Sequence, residues 1–417
     1  MKRLIHELKD LEELIIKCMK CGMCQSVCPL YNENFFEGSV ARGKISLIES
    51  LYEGNIKDVK NTLKILDYCI LCGRCEKNCP SGVNTVEIFL KAKSTLRKIK
   101  KLPVYQKAIL ELALSHPSLL TKVSPMLHKG FKVTTKEVKD DIYHVNLKLL
   151  GNRYIKGVKK TFFTSTYGGT HYAKDEQLKV IFYPGCAINM IYVDWGEKIV
   201  KLLNRLGVTV IVPETNYCCG IPAATMGKLD IMKELLSINY DFFDAHDVKY
   251  VVTSCPTCNH TLDSLNSVAD LSKPDVKFID IIIFIKQVLN IDINAHIKEK
   301  ISLHIPCHYE SGHVSILTDV ISKISKDFVE LENKDCCGFG GTFNLKHYKD
   351  SLSLSLKKAE EVEKKGIKMV FTPCPGCVMN LTDAVMHRNL KCKVLHPVEI
   401  LYEAIEGDVS KNQAQTH

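Results

Sequence analysis

The sequence lacks the features that mark membrane and secreted proteins. No apolar run approaches the roughly 18 residues that a membrane span needs, and the longest candidate, IIIFI at residues 281–285, indicates a buried strand or core helix. The N-terminal stretch MKRLIHELKDLEELIIK has apolar residues at helical spacing, acids between them and no small-residue cleavage site. We therefore expect no secretion signal and a cytoplasmic protein, at most peripheral on the inner face of the membrane through a partner.

Nucleotide- and nucleic-acid-binding motifs are also missing. The glycines of GFGGTF, which begins at Gly338, lack the G-x-G-x-x-G spacing and follow two cysteines. We interpret them as positions where the backbone must approach a bound group. No flavin motif is present, so any flavin must belong to a partner, and no recognised nucleic-acid motif accompanies the basic charge.

Cysteine, by contrast, is abundant. The chain has 417 residues and 19 cysteines, an odd number. A disulfide scaffold is a weak interpretation, because the chain is long enough to bury hydrophobic cores and no secretion signal is expected. Clustered cysteines in a reducing compartment favour metal ligands instead.

Eight cysteines form a duplicated run near the N-terminus. CMKCGMCQSVCP spans Cys18–Pro29, and CILCGRCEKNCP spans Cys69–Pro80. C-x2-C-x2-C-x3-C-P is the spacing of bacterial ferredoxins, which bind 4Fe–4S clusters. The alternative is zinc, but zinc sites favour two C-x2-C pairs. Gly22 and Gly73 lie inside the turns, where the backbone must come close to inorganic sulfur.

The resemblance to ferredoxins implies a crosswise assignment of ligands to two cubane clusters. One cluster would be bound by Cys18, Cys21, Cys24 and Cys79, and the other by Cys69, Cys72, Cys75 and Cys28. The segments ARGKISLIESLYEG and NTLKILDYC between the runs have helical patterns. This arrangement resembles the mostly helical cluster-binding domains of fumarate-reductase-type iron–sulfur subunits, and two adjacent clusters would form an electron wire.

A second duplication contains ten of the eleven remaining cysteines. Its first copy has VIFYPGC, NYCCG and VVTSCPTC, and its second has SLHIPC, DCCGFGG and VFTPCPGC. The separations are 121 residues from Cys186 to Cys307, 118 from Cys218 to Cys336 and 119 from Cys255 to Cys374. A nearly constant offset across three motifs indicates a domain repeat.

Short β-type runs precede these cysteine motifs. VIFY, VTVIV, YVVT, ISLHI and MVFT are the runs, and helical patterns such as WGEKIVKLLNRLG and DIMKELLSINYDFF lie between them. This β-α-β alternation predicts a small α/β domain with a largely parallel sheet in each copy. The cysteines should then lie at the carboxyl ends of strands, where open α/β sheets place their sites.

The motifs resemble the CCG, or cysteine-rich, domains of heterodisulfide reductases and of iron–sulfur subunits that partner flavin dehydrogenases. The order of domains is similar to the D component of heterodisulfide reductase and to the iron–sulfur subunits of glycolate, lactate and anaerobic glycerol-3-phosphate dehydrogenases. The resemblance implies an α+β multidomain fold with a mostly helical two-cluster ferredoxin domain followed by two repeated α/β CCG domains. The expected units are residues 1–115 (ferredoxin-type domain), 116–178 (basic connecting insert), 179–300 (first CCG domain), 301–405 (second CCG domain) and 406–417 (tail).

In heterodisulfide reductases, each complete CCG motif carries a noncubane 4Fe–4S cluster on five cysteines. The resemblance implies two such sets in this sequence. The first is Cys186, Cys218, Cys219, Cys255 and Cys258, and the second is Cys307, Cys336, Cys337, Cys374 and Cys377. Both sets are complete, which predicts one or two noncubane clusters and favours thiol–disulfide chemistry, with these cysteines as the catalytic groups. Zinc or buried thiols are the alternative for these motifs.

Two functions follow from the resemblance. The first is an oxidoreductase subunit, typical of anaerobic metabolism, that passes electrons from the ferredoxin clusters to the CCG sites, where a small disulfide is reduced or thiols are oxidised. The alternative is an electron relay for an FAD-dependent glycolate, lactate or glycerol-3-phosphate dehydrogenase. A flavoprotein dehydrogenase subunit or a membrane cytochrome b subunit is the expected partner; nucleic acid is not.

Other features receive simpler interpretations. His304 and His308 flank Cys307 and favour structural roles, although either could donate to cluster sulfur or protonate a leaving thiolate. Cys392 lies outside both repeats and should be an ordinary buried thiol. Residues 85–178 contain 18 basic and 7 acidic residues, and the segment from Lys91 to Lys107 has seven bases and no acid. We expect a solvated helix face there, with a docking surface for an acidic partner or an anionic membrane as the alternative.

Overall fold

The N-terminal part of the chain is helical. The computed structural model describes residues 6–147, 151–293 and 295–403. A 3-10 turn at Glu7–Leu11 leads into α1 at Glu12–Ile15. The helices that follow are α2 (Met23–Ser26), α3 (Tyr31–Asn34), α4 (Ala41–Tyr52), α5 (Val59–Asp67), α6 (Arg74–Lys77) and α7 (Thr85–Ile99), with a 3-10 turn at Glu37–Ser39 before α4. Helices α4 and α5 confirm the helical patterns predicted between the two cysteine runs.

A helical hairpin and a small antiparallel sheet connect this part to the repeats. The hairpin consists of α8 (Val104–Ser115) and α9 (Pro117–Thr134), and the sheet has the order β1-β2-β3. The strands are β1 (Lys136–Lys139), β2 (Ile142–Leu147) and β3 (Gly151–Lys156). Strand β3 is held against the second repeat, because the backbone N–H of Tyr154 donates to Oδ1 of Asp383 at 2.7 Å.

The first repeat is a doubly wound α/β domain. Its five-stranded sheet has the order β4-β6-β5-β7-β8, in which only β4 is antiparallel. The strands are β4 (Gly169–His171), β5 (Leu178–Tyr183), β6 (Val208–Val212), β7 (Tyr250–Thr253) and β8 (Lys277–Asp280). The helices are α10 (Phe163–Tyr167), α11 (Gly185–Met190), α12 (Val193–Arg205), α13 (Ile221–Thr225), α14 (Leu229–Asp244), α15 (Pro256–Ser264) and α16 (Ile281–Ile283). β-Branched residues fill the central strands, as expected for strands buried on both faces.

The second repeat has a related topology with fewer strands. Its parallel sheet has the order β11-β10-β9, formed by Lys393–Leu395, Met369–Phe371 and Ile301–Leu303. Phe328 makes only an isolated parallel bridge to Ile301, at the place that β6 takes beside β5 in the first repeat. The helices are α17 (Val314–Ile324), α18 (Thr342–Lys346), α19 (Tyr348–Lys364) and α20 (Pro375–His387). The predicted β-α-β alternation is therefore confirmed in both repeats.

The buried residues explain two further features of the sequence. Ile281, Ile282 and Ile283 lie in α16 and are fully buried, so the run IIIFI belongs to a core helix rather than to a membrane span. Within the described ranges, no helix combines the length and the apolarity that a membrane crossing requires.

The basic segment Lys91–Lys107 differs from the expectation of a fully solvated face. Lys93 is buried, and its Nζ lies 3.8 Å from Oδ1 of Asp67. Arg97 contacts the same carboxylate at 2.7 Å. Because these two bases meet an acid on α5, they help to hold the helical domain together, and only the other bases of the segment remain available at the surface.

Candidate metal centres

The two N-terminal cysteine runs fold into matching loops. Each run leads into a short helix, α2 or α6, and a glycine precedes each helix in the left-handed conformation, Gly22 with φ 90° and Gly73 with φ 68°. This conformation is accessible to glycine at no steric cost. The duplicated sequence therefore produces a duplicated turn, and the two helices pack against each other.

The loops enclose two cavities with different cysteine linings. One is lined by Cys18, Cys21, Cys24 and Cys79. The other is lined by Cys28, Cys69, Cys72 and Cys75. Cys75 also borders the first cavity, so the two are adjacent. Each cavity thus takes three cysteines from one run and the last cysteine from the other.

Burial makes several of these thiols poor anions on their own. Desolvation raises the pKa of Cys75 to about 12, and it also raises the pKa values of Cys24 and Cys28. A buried thiolate therefore needs a cation. A bound metal ion is such a cation, and its coordination deprotonates the cysteine thiol outright. The cavities therefore fit soft-metal clusters.

The CCG cysteines lie at the carboxyl ends of parallel strands. In the first repeat, Cys186 follows β5, Cys218 and Cys219 follow β6, and Cys255 and Cys258 follow β7. The second repeat places its cysteines equivalently: Cys307 follows β9, Cys374 and Cys377 follow β10, and Cys336 and Cys337 lie in the loop before α18. Carboxyl strand ends are where open α/β sheets place ligands.

Within each set the sulfur atoms are close together. Sγ of Cys307 lies 3.8 Å from Sγ of Cys336, and Sγ of Cys337 lies 3.2 Å from Sγ of Cys377. In the first set, a hydrogen bond from Cys218 lowers the pKa of Cys186. All 19 cysteines are free, so this proximity does not reflect disulfides.

The two sets also touch each other. Hydrogen bonds from the thiols of Cys255 and Cys377 hold the pKa of Cys374 well below its usual range. Cys255 belongs to the first set, whereas Cys374 and Cys377 belong to the second. The ten cysteines therefore form one continuous array across the boundary between the repeats.

The second N-terminal loop docks against this array. Cys72 interacts electrostatically with Cys336 and with Cys307. Lys77 donates from Nζ to the backbone oxygen of Cys307 at 2.9 Å. Arg74 bridges the same region, because its Nη2 lies 3.1 Å from Oδ1 of Asp335. The cavity of Cys72 is thus placed beside the second CCG set.

The two flanking histidines have different environments. Nε2 of His308 lies 2.9 Å from the backbone oxygen of Leu71, and Nδ1 lies 3.1 Å from Oγ1 of Thr257. Its ring stacks on His260, which makes His308 a structural link between three parts of the molecule. His304 is buried beside the second set, and desolvation lowers its pKa to about 3, so the imidazole is neutral.

Two buried lysines near the cysteines were not anticipated from the sequence. Nζ of Lys44 donates to the backbone oxygen of Gly38 at 2.7 Å, and Lys44 interacts electrostatically with Cys69 and Cys28. Lys358 interacts in the same way with Cys337. Each lysine occupies a position on the apolar stripe of its helix, where charge is unusual. A lysine on the apolar stripe of a helix was therefore the sequence signal that could have identified these two residues.

Comparisons with known proteins agree with this geometry. Residues 180–263 and 301–382 match the family model described as a cysteine-rich domain (CCG), and residues 15–83 match the model of a 4Fe-4S dicluster domain. A hypothetical protein from Helicobacter pylori, solved as a crystal structure, superimposes with a TM-score of 0.51 at 9% identity over 87% of this chain and 67% of its own. That likeness concerns the fold alone.

Three relatives are similar to this chain in sequence. The probable glycolate oxidase iron-sulfur subunit of Bacillus subtilis is 23% identical over 97% of both chains. The B component of the fumarate reductase (CoM/CoB) of Methanothermobacter marburgensis is 24% identical over 94% of this chain and 72% of its own. Lactate utilization protein A of Bacillus subtilis is 30% identical over 54% of this chain and 99% of its own.

The fold, the cysteine arrays and these matches define an iron–sulfur electron-transfer component of an oxidoreductase. The chain belongs to the family of CCG-domain iron–sulfur proteins, with a dicluster domain followed by two cysteine-rich repeats. The predicted family and fold class are therefore confirmed.

Proposed function

We propose that the protein is a heterodisulfide-reductase-like subunit that uses its paired CCG sites for thiol–disulfide chemistry. The fold and the matches define an electron-transfer protein, and thiol–disulfide chemistry is the proposed reaction. The observation that carries it is the meeting of two complete five-cysteine sets: Cys255 interacts electrostatically with Cys374, and Nε2 of His396 in the second repeat lies 3.2 Å from the backbone oxygen of Ser254 in the first. A relay alone would not require two complete sets that adjoin.

Each cluster has a proposed set of ligands. Two cubane 4Fe–4S clusters would be held in the two N-terminal cavities. Their ligands would be Cys18, Cys21, Cys24 and Cys79 in one and Cys28, Cys69, Cys72 and Cys75 in the other. Noncubane clusters would be held by the two CCG sets. When bound, such clusters supply one-electron redox steps and soft sites for sulfur.

The reaction itself is a two-electron exchange. A disulfide RS–SR′ takes up two electrons and two protons, its S–S bond breaks, and two thiols leave; the reverse oxidises the thiols. The electrons come from, or go to, a partner protein. Two adjoining thiolate-rich sites suit a substrate with two sulfur atoms, and the position of Cys72 next to Cys336 keeps the array within reach of the N-terminal cavities.

A partner should dock beside the first cavity. Cys21 is exposed there, and Ile16, Met19 and Met23 expose 72%, 70% and 51% of their surfaces around it. Exposed apolar side chains grouped near a redox site are typical of a transient interface. We propose a flavoprotein dehydrogenase or membrane cytochrome b subunit as the occupant, which would place the protein at the cytoplasmic face of the membrane.

The electron relay remains a second candidate function. The observation in its favour is the similarity to the probable glycolate oxidase iron-sulfur subunit, which extends over 97% of both chains. In this case a flavin on a partner oxidises a 2-hydroxyacid, and this chain only carries the electrons onward. The CCG sites would then bind metal without turning over a thiol.

The test is metal analysis combined with EPR. The full-length chain, reconstituted anaerobically, should contain about sixteen irons, four for each of four 4Fe–4S clusters. After oxidation in the presence of thiol it should give a paramagnetic signal that depends on the thiol. Cys374→Ser should abolish that signal, whereas Cys392→Ser, which alters a cysteine outside both sets, should keep it.

Two results would overturn parts of the proposal. About eight irons with no response to thiol would leave only the N-terminal pair and would favour the relay. Stoichiometric zinc without acid-labile sulfide at the CCG sets would contradict thiol–disulfide chemistry there and would leave the relay through the N-terminal clusters.

A further inference from the structure

The two CCG sets differ at one position that the repeat makes comparable. Tyr183 lies three residues before Cys186 and ends β5, whereas His304 lies three residues before Cys307 and follows β9. Both side chains are buried, with 1% and 3% of their surfaces exposed. The first repeat therefore places a phenol where the second places an imidazole.

The phenol is satisfied within the protein and the imidazole is not. Tyr183 donates its hydroxyl hydrogen to the backbone oxygen of Tyr217 at 2.7 Å. Nε2 of His304 is buried and has no hydrogen-bond partner among the residues that the structure describes. Leaving such a buried atom unpaired destabilises the folded state. A partner from outside the polypeptide would remove this destabilisation.

The surroundings of His304 identify the chemistry of that partner. One ring nitrogen of His304 and the sulfur atoms of Cys337 and Cys377 all lie within 4.8 Å of one another, and all three residues are buried. The backbone of His304 is fixed, because its N–H donates to the oxygen of Phe371 at 2.8 Å. Neutral imidazole and thiolate sulfur are both ligands of iron and zinc in proteins. A ring nitrogen of the buried His304 and two sulfur atoms of the second set therefore lie together, with the donor types of a metal site.

We infer that His304 is a nitrogen ligand to iron at the second CCG set, which makes that site a mixed nitrogen–sulfur site, while the first set binds through sulfur alone. The inference rests on the proposed function in one respect, namely that iron occupies the CCG sets. It goes beyond that function because it makes the two sites chemically different and assigns the difference to one residue.

A second difference between the repeats should also make the second CCG site easier to reduce than the first. Lys358 is buried in α19 and interacts electrostatically with Cys337, and its Nζ donates to the backbone oxygen of Asn333 at 2.5 Å. The first repeat has the neutral Asn239 at the corresponding place, 119 residues earlier, which is also the offset between the starts of α14 and α19. A neutral ligand and a nearby cation both favour the more reduced, more negative state. The second site should therefore be reduced before the first.

Pulsed EPR of the full-length, anaerobically reconstituted protein tests the inference. The paramagnetic state of the CCG sites should show a strongly coupled nitrogen, and labelling histidine with ¹⁵N should change the coupling pattern. His304→Phe should remove the coupling. His304→Tyr provides a second variant, because tyrosine is already accommodated at this place in the first repeat. Tyr183→Phe is the matched control and should retain the coupling.

The possible failures are distinguishable. If the wild-type protein holds about sixteen irons but shows no coupling to labelled histidine, the inference is wrong and the proposed function stands. A coupling that survives both His304 variants would likewise exclude His304 as the ligand. If only about eight irons are present, the CCG sets carry no iron cluster, and the inference fails together with the proposed function.

Discussion

Single buried charges decide much of the chemistry around the cysteines. Lys44 is fully buried and hydrogen-bonds to two backbone oxygens, those of Gly38 and Ser39, on the side of the cavity that contains Cys28. A cation in such a place is costly unless negative charge lies nearby. A cluster bound by four thiolates supplies that negative charge, so the lysine and the cluster should stabilise each other.

Replacement of Lys44 should therefore change a redox potential. A unit charge at roughly 8 Å in a medium of dielectric about 20 contributes about 2 kcal/mol, or on the order of 90 mV for a one-electron couple. Lys44→Met should lower the midpoint potential of one cluster by an amount of this order in an EPR-monitored titration. Lys20→Met is the control, because Lys20 interacts with Cys18 but is exposed and paired with Glu49. Equal shifts in the two variants would contradict this account.

Asp280 should make the stability of the protein depend on pH. Its Oδ1 accepts hydrogen bonds from the backbone N–H of Ile282 at 3.0 Å and from the hydroxyl of Tyr309 at 3.1 Å. Burial nevertheless raises the pKa of Asp280 from 3.8 to about 7. Between these values the folded state holds a proton that the unfolded state has released, so the contribution of Asp280 to stability falls as the pH rises through this window and does not change further above it.

Asp280→Asn should remove this pH dependence. The amide oxygen can still accept from Ile282 and Tyr309, whereas the titration is lost. Because each pKa unit corresponds to about 1.4 kcal/mol, the wild-type protein should lose up to about 4 kcal/mol of stability between about pH 4 and pH 7. The melting temperature of Asp280→Asn, measured from about pH 4 to pH 8, should vary less than that of the wild type or of the exposed control Asp319→Asn. If the slope of melting temperature against pH is unchanged in Asp280→Asn, other titratable groups determine the pH dependence of stability.

At the scale of elements, a glycine fixes the loop that carries the second cysteine pair. Gly338 follows Cys337 and has φ +91°, and a Cβ placed on it would lie 2.6 Å from the backbone oxygen of Ser351 on α19. The glycine is thus required both by its conformation and by the close approach of the helix. This requirement explains why a glycine follows the paired cysteines, as Gly220 does in the first repeat with φ +91°.

Gly338→Ala should destabilise the second repeat by more than the cost of placing a side chain in the left-handed backbone conformation. A side chain in the left-handed region costs about 1–2 kcal/mol, and the backbone clash adds to this cost. Gly54→Ala isolates the cost of the left-handed conformation, because Gly54 has φ +82° and no described atom lies within 4 Å of its added Cβ. Thermal unfolding followed by circular dichroism should show a larger loss for Gly338→Ala. Similar losses would mean that the loop shifts to relieve the clash.

The elements were predictable wherever local pattern determines them. The runs VIFY, VTVIV, YVVT, ISLHI and MVFT correspond to β5, β6, β7, β9 and β10. The small sheet β1-β2-β3 was not predicted, because Pro, Gly and Thr interrupt the pattern of the insert. Its position depends on contacts distant in sequence, such as the hydrogen bond between Tyr154 and Asp383 across 229 residues.

The candidate site was predictable in its composition but not in its arrangement. Spacing identified all eighteen cysteines of the two duplications, because each motif is local. The contact between Cys255 and Cys374 depends on how the two repeats face each other, which no spacing records. The unpaired nitrogen of His304 also required the structure, since a histidine beside a cysteine is more often structural, as His308 proves to be.

At the scale of the whole molecule, an ion-pair junction around Asp67 joins the three cysteine-bearing parts. Asp67 on α5 of the helical domain lies 2.7 Å from Arg97, 3.8 Å from Lys93 and 3.4 Å from Lys346 of the second repeat. Nζ of Lys93 also donates to the backbone oxygen of Thr225 in the first repeat at 3.1 Å. This junction holds the N-terminal cavities in place beside the CCG array.

Asp67→Asn should therefore loosen the assembly of the domains. Lys93 is fully buried, and removal of its anionic partner should cost about 3 kcal/mol, as is typical for a broken buried ion pair. The melting temperature should fall, and hydrogen exchange should accelerate in peptides from α13 and α18, which meet at the junction through Thr225 and Thr342. Exchange in the central strand β5 should stay slow.

The matched control for this junction is Asp319→Asn. Asp319 pairs with Lys323 on one exposed helix, and such surface pairs contribute at most about 1 kcal/mol. If Asp67→Asn and Asp319→Asn have equal effects, the junction does not hold the domains together, and direct contacts such as that of Lys77 with Cys307 must do so. If exchange accelerates only for Asp67→Asn, electron transfer between the N-terminal cavities and the CCG array should slow in the same variant, because the distance between them would no longer be fixed.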